Sequence, residues 1–165
     1  LDTLRELKSR NVPFKMLFVG NGPDFNNLKK KIEDYEMTNE VIMTGKILDR
    51  DLLKSIYYRA TLFIFPSLFD SSSLVQIEAA SQETPTIFIE GSVTSDTVEN
   101  NVNGFTEKED VSLFADRIEE ILNNKDLYEK VQKGAKNDLA RSWKDISKET
   151  YNYYLEMIDK YNNQD

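Results

Sequence analysis

The chain has 165 residues, a formal net charge of −8, and neither cysteine nor histidine. That length fits one domain able to bury its own core, and the acidic balance argues against wrapping nucleic acid, whose phosphates demand a basic face. The missing residue types exclude disulfides, thiolate metal sites and cysteine or histidine catalysis, which leaves carboxylates, lysines, hydroxyls and oriented backbone for any chemistry.

Leu1, Leu4 and Leu7 recur at helical spacing before basic residues and Asn11, so the chain is expected to open on the last turns of a helix and to be a fragment of a longer protein. Phe14 to Val19 reads as a buried strand closed by Gly20-Asn21-Gly22-Pro23, and Asp24 as the cap of a helix with Phe25, Leu28, Ile32 and Tyr35 inward. The glycine loop is a tight strand-to-helix turn on one reading and a backbone approach to a nucleotide on the other. Lys29-Lys30-Lys31 reads as a solvated helix face. Val41 to Thr44 is the next strand, followed by Gly45, Lys46 and Ile47, with Asp49 or Asp51 capping a helix that turns Leu52, Leu53, Ile56 and Tyr57 inward.

The stretch Leu62 to Ala80 is the centre of the reading. Leu62 to Phe65 is a short apolar run ending at Pro66, as expected of a strand buried on both faces. Asp70 follows in the loop, and Ser73 with Gln76 makes a capping box for a helix beginning near Leu74 and Val75. The free N–H groups at such a start favour an anion such as phosphate, and Glu78 lies about one turn inside. Thr86 to Ile89, entered through Pro85, is a further strand, and Glu90-Gly91-Ser92 to Asp96 is the loop at its carboxyl end. Asn103-Gly104 is a turn signal before Phe105, and Asp110 caps a helix with Val111, Phe114, Ile118 and Ile121 inward. Asn124 starts a helix with Leu127, Val131 and Leu139 inward, and Ser142 to Asp145 is a second capping box. The last helix carries Ile146, Tyr151, Tyr154, Leu155, Ile158 and Tyr161, a stripe that either packs on this domain or is an interface. Successive βα-like units imply an α/β fold, a Rossmann-like parallel sheet with helices on both faces, whose carboxyl-end loops converge on one crevice.

Asp70 and Glu78 separated by seven residues, preceded by Phe65-Pro66-Ser67 and followed by Ala79-Ala80, resemble the donor-site motif of retaining family 4 glycosyltransferases of the GT-B fold. Phe18 to Pro23, Val41 to Gly45, Asn103 to Phe105 and Ser142-Trp143 stand in the same order as in that family. The resemblance implies that residues 1–165 form a single nucleotide-sugar-binding domain, the carboxyl-terminal half of the enzyme, with the amino-terminal acceptor domain and the first strand outside the sequence.

The same resemblance implies transfer of a hexose, with retention, from a nucleoside diphosphate sugar, UDP-sugar first, to a glycan or lipid acceptor held mainly by the amino-terminal domain. Bacterial cell-surface polysaccharide or glycolipid synthesis is the implied setting, in the cytoplasm or at the inner face of the membrane through peripheral association, with no metal, no cofactor and no nucleic acid partner. Asp70 and Glu78 are the candidate catalytic acids, Asp70 orienting the sugar and Glu78 holding the ribose. Lys46 and Ile47 would meet the base, and Ser73, Leu74, Val75, Gly91 and Ser92 the phosphates and sugar. By itself the fragment is expected to be inactive.

Three departures bear on this. The first acid is Asp70 instead of the family's usual Glu, serines 71–73 replace small residues, and Glu83 stands where a glycine is expected before Pro85, so that helix should end without its usual cap. An accessory subunit that binds nucleotide without turnover is the alternative. A sugar-nucleotide epimerase is disfavoured by the lack of histidine, and a signalling domain by the lack of an acid after the early strands.

Overall fold

The computed structural model describes residues 1–69 and 74–162. Helix α1 (Asp2–Ser9) buries Leu4 and Leu7. It stops where Asn11 takes a left-handed φ of 59°, so that the Val12 N–H returns to the Leu7 carbonyl at 3.0 Å. Asparagine tolerates that conformation, which makes it an effective stop. Strands β1 (Met16–Val19) and β2 (Val41–Gly45) pair in parallel across helix α2 (Phe25–Asp34). Helix α3 (Arg50–Arg59) leads to β3 (Phe63–Phe65), and α4 (Leu74–Ser81) leads to β4 (Thr86–Ile89). A 3₁₀ turn at Val93–Ser95 then precedes β5 (Phe105–Glu107). Helices α5 (Val111–Asn123), α6 (Lys125–Gly134) and α7 (Trp143–Asn162) follow, with a π-helical turn at Ala135–Leu139 after α6.

Every pair of these strands is parallel, which is the α/β architecture expected. The pairing falls into two sheets, β1-β2 and β3-β4-β5, and among the described residues β1 does not bond to β3. Strand β4 is the centre: all four of its residues are buried, and Ile87, Phe88 and the neighbouring Phe105 are inaccessible to solvent. Helix α5 adds Phe114, Ile118 and Ile121 to the same core, which continues through Met37 and Val41 to Leu4 and Leu7. Full burial of side chains this size is the dominant stabilising term, about 1.5–3 kcal/mol each.

Other strands and some helix positions differ from the expectation of burial. In β1, Met16 and Phe18 pack on the core while Leu17 and Val19 face solvent, and β3 is half-buried throughout. Ile42 in β2 is exposed. An apolar run records only that burial is tolerated; the second layer needed to cover both faces is supplied elsewhere. Leu52 and Val111, read as inward, lie exposed in the first turns of α3 and α5. Asp24 does not cap α2; its Oδ1 accepts from Asn27 Nδ2 at 3.2 Å. The Ser73 end of the first capping box lies outside the described residues, whereas Ser142 Oγ accepts from the Asp145 N–H at 3.1 Å as expected. Helix α7 buries none of its residues, so the reading in which its tyrosine stripe packs on this domain is not what the fold shows.

Helix α4 ends with the geometry a glycine would supply, although the residue is Glu83 with φ 61°. The Thr84 N–H reaches the Ala79 carbonyl at 3.0 Å, and the Glu83 carboxylate pairs with Lys136. Thr84 is buried and donates its hydroxyl to the Tyr57 carbonyl at 2.6 Å, so the chain is pulled into this turn whatever residue precedes it. The fold depends more sharply on Gly134 at the end of α6, where a Cβ would lie 1.9 Å from the Val102 carbonyl oxygen. Glycine to alanine in a helix ordinarily stabilises by about 1 kcal/mol. Here a backbone atom cannot step aside, so Gly134→Ala is expected to destabilise by about 1–3 kcal/mol, measured as a lower urea midpoint with unchanged slope.

Candidate functional site

The loops that leave the carboxyl ends of the strands are tied to one another by specific bonds. The Gly20 N–H after β1 donates to the carbonyl of Gly45, the last residue of β2, at 2.9 Å. Thr94 Oγ1, in the loop after β4, donates to the Ser67 carbonyl after β3 at 3.2 Å. Asp49 accepts from the N–H groups of Asp51 and Leu52 and so anchors the start of α3 at the end of the β2 loop. From that start, Arg50 reaches α4 and donates to Glu78 Oε1 at 2.6 Å.

A second side chain of α3 lies beside the Glu78 carboxylate. Tyr57 lines a cavity with it, and its phenol is pushed up to about 12 by burial first and then by the nearby Glu78 carboxylate, against the opposing charge of Arg50. Arg50, Leu53, Lys54 and Tyr57 form one face of α3, opposite Glu78 and Ser81 on α4, and together they line a cavity of about 70 Å³. Lys54 pairs within its own helix with Asp51 at 3.2 Å, which leaves Arg50 as the cation on Glu78. A larger groove of about 290 Å³ lies between α2 and β2 and is lined by Phe25, Ile32, Val41 and Met43 with Lys29 and Glu33 at its edge. None of its walls comes from the loops after the strands, so size is a poorer guide here than the convergence of polar groups.

The remaining candidate residues are placed as follows. Gly45 has φ 69°, Lys46 is exposed and Ile47 half-buried beside the start of α3. Leu74, exposed, and Val75, half-buried, head α4, where the first N–H groups of any helix lack intrahelical partners. Gly91 has φ 73° at the tip of the β4 loop. Ser92 is turned inward: it is buried, and its Oγ donates to the Ile89 carbonyl at 2.7 Å, so its side chain fastens the loop. Asp70 and Ser73 lie outside the described residues. Among the described residues no cluster of three or more acids could hold a metal, and no helix is long and apolar enough to cross a membrane.

Reading the sequence missed Arg50; Tyr57, read as inward, is buried as expected and also lines the cavity beside Glu78. The signal was present as a spacing: Arg50, Leu53 or Lys54, and Tyr57 recur on one helical face directly after the loop that carries Lys46 and Ile47.

Residues 1–138 match the family model described as Glycosyl transferases group 1. An uncharacterized glycosyltransferase of Methanocaldococcus jannaschii is 26% identical over 162 residues, which cover 88% of this chain and 39% of the relative. The capsular polysaccharide biosynthesis glycosyltransferase CapM of Staphylococcus aureus is 26% identical over 132 residues, 79% of this chain and 34% of that protein. The crystal structure of Anabaena HepE in complex with UDP and glucose superposes with a TM-score of 0.78 at 16% identity, covering 94% of this chain and 44% of that one, a likeness of fold. The chain thus spans less than half the length of each of these proteins.

The burial of Tyr57, with the Glu78 charge beside it, has a measurable pH signature. A tyrosine with a raised folded pKa contributes stability that is complete below its unfolded value near 10 and is lost as pH rises towards about 12. Tyr57→Phe should therefore lose less stability than the parent between those limits, read from urea midpoints at each pH.

Proposed function

Since the chain belongs to the group 1 glycosyl transferases, with residues 1–138 matching, we infer that it is the donor-binding part of an enzyme that moves a sugar from a nucleoside diphosphate to an acceptor. The observation that carries this reading is the placement of Glu78: a carboxylate held by Arg50, with Tyr57 beside it, next to the loop that bears Lys46 and Ile47. A carboxylate so fixed suits the paired hydroxyls of a ribose whose base rests on that loop. The first turn of α4, at Leu74 and Val75, offers N–H groups to the diphosphate, where negative charge grows as the sugar departs. Gly91 brings bare backbone to the same end of the sheet, and Asp70 would orient the sugar ring.

UDP-sugar is the proposed donor, supported by the UDP and glucose complex of the Anabaena neighbour. Transfer with retention, to a glycan or lipid acceptor bound by an amino-terminal domain, is the proposed reaction. Capsule-type polysaccharide or glycolipid synthesis on the cytoplasmic side of a membrane is the proposed setting, supported by the likeness to CapM. No metal is assigned a role, because the helix start can supply the positive end that a leaving diphosphate needs. A binding subunit without turnover is the second reading, favoured by Asp70 standing in place of the longer acid.

Thermal shifts with UDP-, GDP- and ADP-sugars identify the donor, and NMR of the product should show the donor's anomeric configuration preserved; inversion removes the retaining assignment. Glu78→Gln should weaken binding of the bare nucleoside diphosphate by about 1.5–3 kcal/mol in calorimetry. In the full-length protein, Asp70→Asn should lower kcat while leaving that affinity nearly intact. Undetectable transfer by the unaltered full-length protein with a tightly bound donor would favour the binding subunit.

A further inference from the structure

Glu78 is not a lone acid waiting for a ligand. Its side chain is 27% exposed and already carries the Arg50 guanidinium on Oε1, while Arg50 itself is 69% exposed and stands on the first residue of a different helix. Tyr57 of the same helix lines the cavity beside it. An ionised carboxylate has about four lone-pair directions; the guanidinium on Oε1 leaves the others for a ligand and fixes which way they point. Without them a glutamate side chain turns about three torsions and must be ordered at the moment of binding.

We propose that Arg50 is a positioning residue for donor recognition: by clamping Oε1 of Glu78 against α3 it presents the rest of the carboxylate to the ribose hydroxyls, and thereby sets the preference for a ribonucleotide over its 2′-deoxy counterpart. The proposal rests on the reading of Glu78 as the ribose acceptor given above. Arg50 is not part of the hydrophobic core, so its loss lets the carboxylate swing without disturbing that core. Because the guanidinium is two-thirds exposed, the pair itself adds little to folding and its loss is tolerated.

The test compares binding of uridine diphosphate and 2′-deoxyuridine diphosphate by calorimetry to the parent, Arg50→Met, Arg50→Lys and Glu78→Gln, with melting temperatures recorded for each. The parent should favour the ribonucleotide by about tenfold or more, the factor expected for one hydrogen bond to a charged acceptor. Arg50→Met should reduce that preference to under about threefold, by weakening the ribonucleotide and sparing the deoxynucleotide. Arg50→Lys should recover part of it. A purely structural role would weaken both ligands alike, and that result overturns the proposal, as does an Arg50→Met protein that keeps the full preference. If the parent shows no preference, or Glu78→Gln retains it, the ribose assignment of Glu78 has failed and the role of Arg50 falls with it, an outcome distinct from failure at Arg50 alone.

Discussion

The burial of β4 is the constraint from which the rest of the structure follows. A strand with all four residues buried must be flanked on both edges and covered on both faces, and β3, β5 and α5 meet that requirement around Phe88 and Phe105. Once β3 and β4 run parallel side by side, their following loops lie next to each other, which is why Thr94 can bond the Ser67 carbonyl. The crossover helix between β3 and β4 is α4, so Glu78 is delivered to the same neighbourhood by topology before any polar contact forms.

Much of this was legible, and the exceptions have physical causes. Asp49 and Asp110 cap helices as their positions before apolar periodic runs suggested, because each sits in extended backbone, with ψ 110° and 132°, where a side-chain oxygen can reach the N–H groups ahead. Asp24 also precedes an apolar periodic run, but it sits in the turn closed by the Phe25 N–H on the Gly22 carbonyl with a ψ of 6°, and from there its carboxylate meets Asn27 instead. Residue type before a periodic run does not by itself report the backbone angle on which capping depends. The end of α4 is the mirror case. Lack of glycine suggested an altered cap, yet burial of Thr84 imposes the left-handed turn on Glu83.

The site was readable in its acids and unreadable in their partners. Glu78 stood out by its place one turn into a helix after a strand; what holds it comes from α3, more than twenty positions earlier. Contacts at such separations follow from packing between elements, which hydrophobic periodicity reports only as a face. Likewise the run of β1 showed apolar residues on both sides without showing that Leu17 and Val19 would meet solvent, or that α7 would stand clear of the core with Trp143 and its tyrosines uncovered.

Magnitudes indicate where the Arg50–Glu78 pair matters. An exposed ion pair contributes about 0–1 kcal/mol to folding, whereas a hydrogen bond to a charged acceptor in a ligand site is worth about 1.5–3 kcal/mol. The fold can therefore lose Arg50 at small cost, while an acceptor that must be aimed cannot. The two neighbours of Glu78 also differ in their response to salt. Counter-ions screen charges over about 8–10 Å at ordinary ionic strength, which loosens an arginine two-thirds exposed but hardly touches the neutral, buried Tyr57. The cationic side of the cluster is therefore the part that salt can adjust.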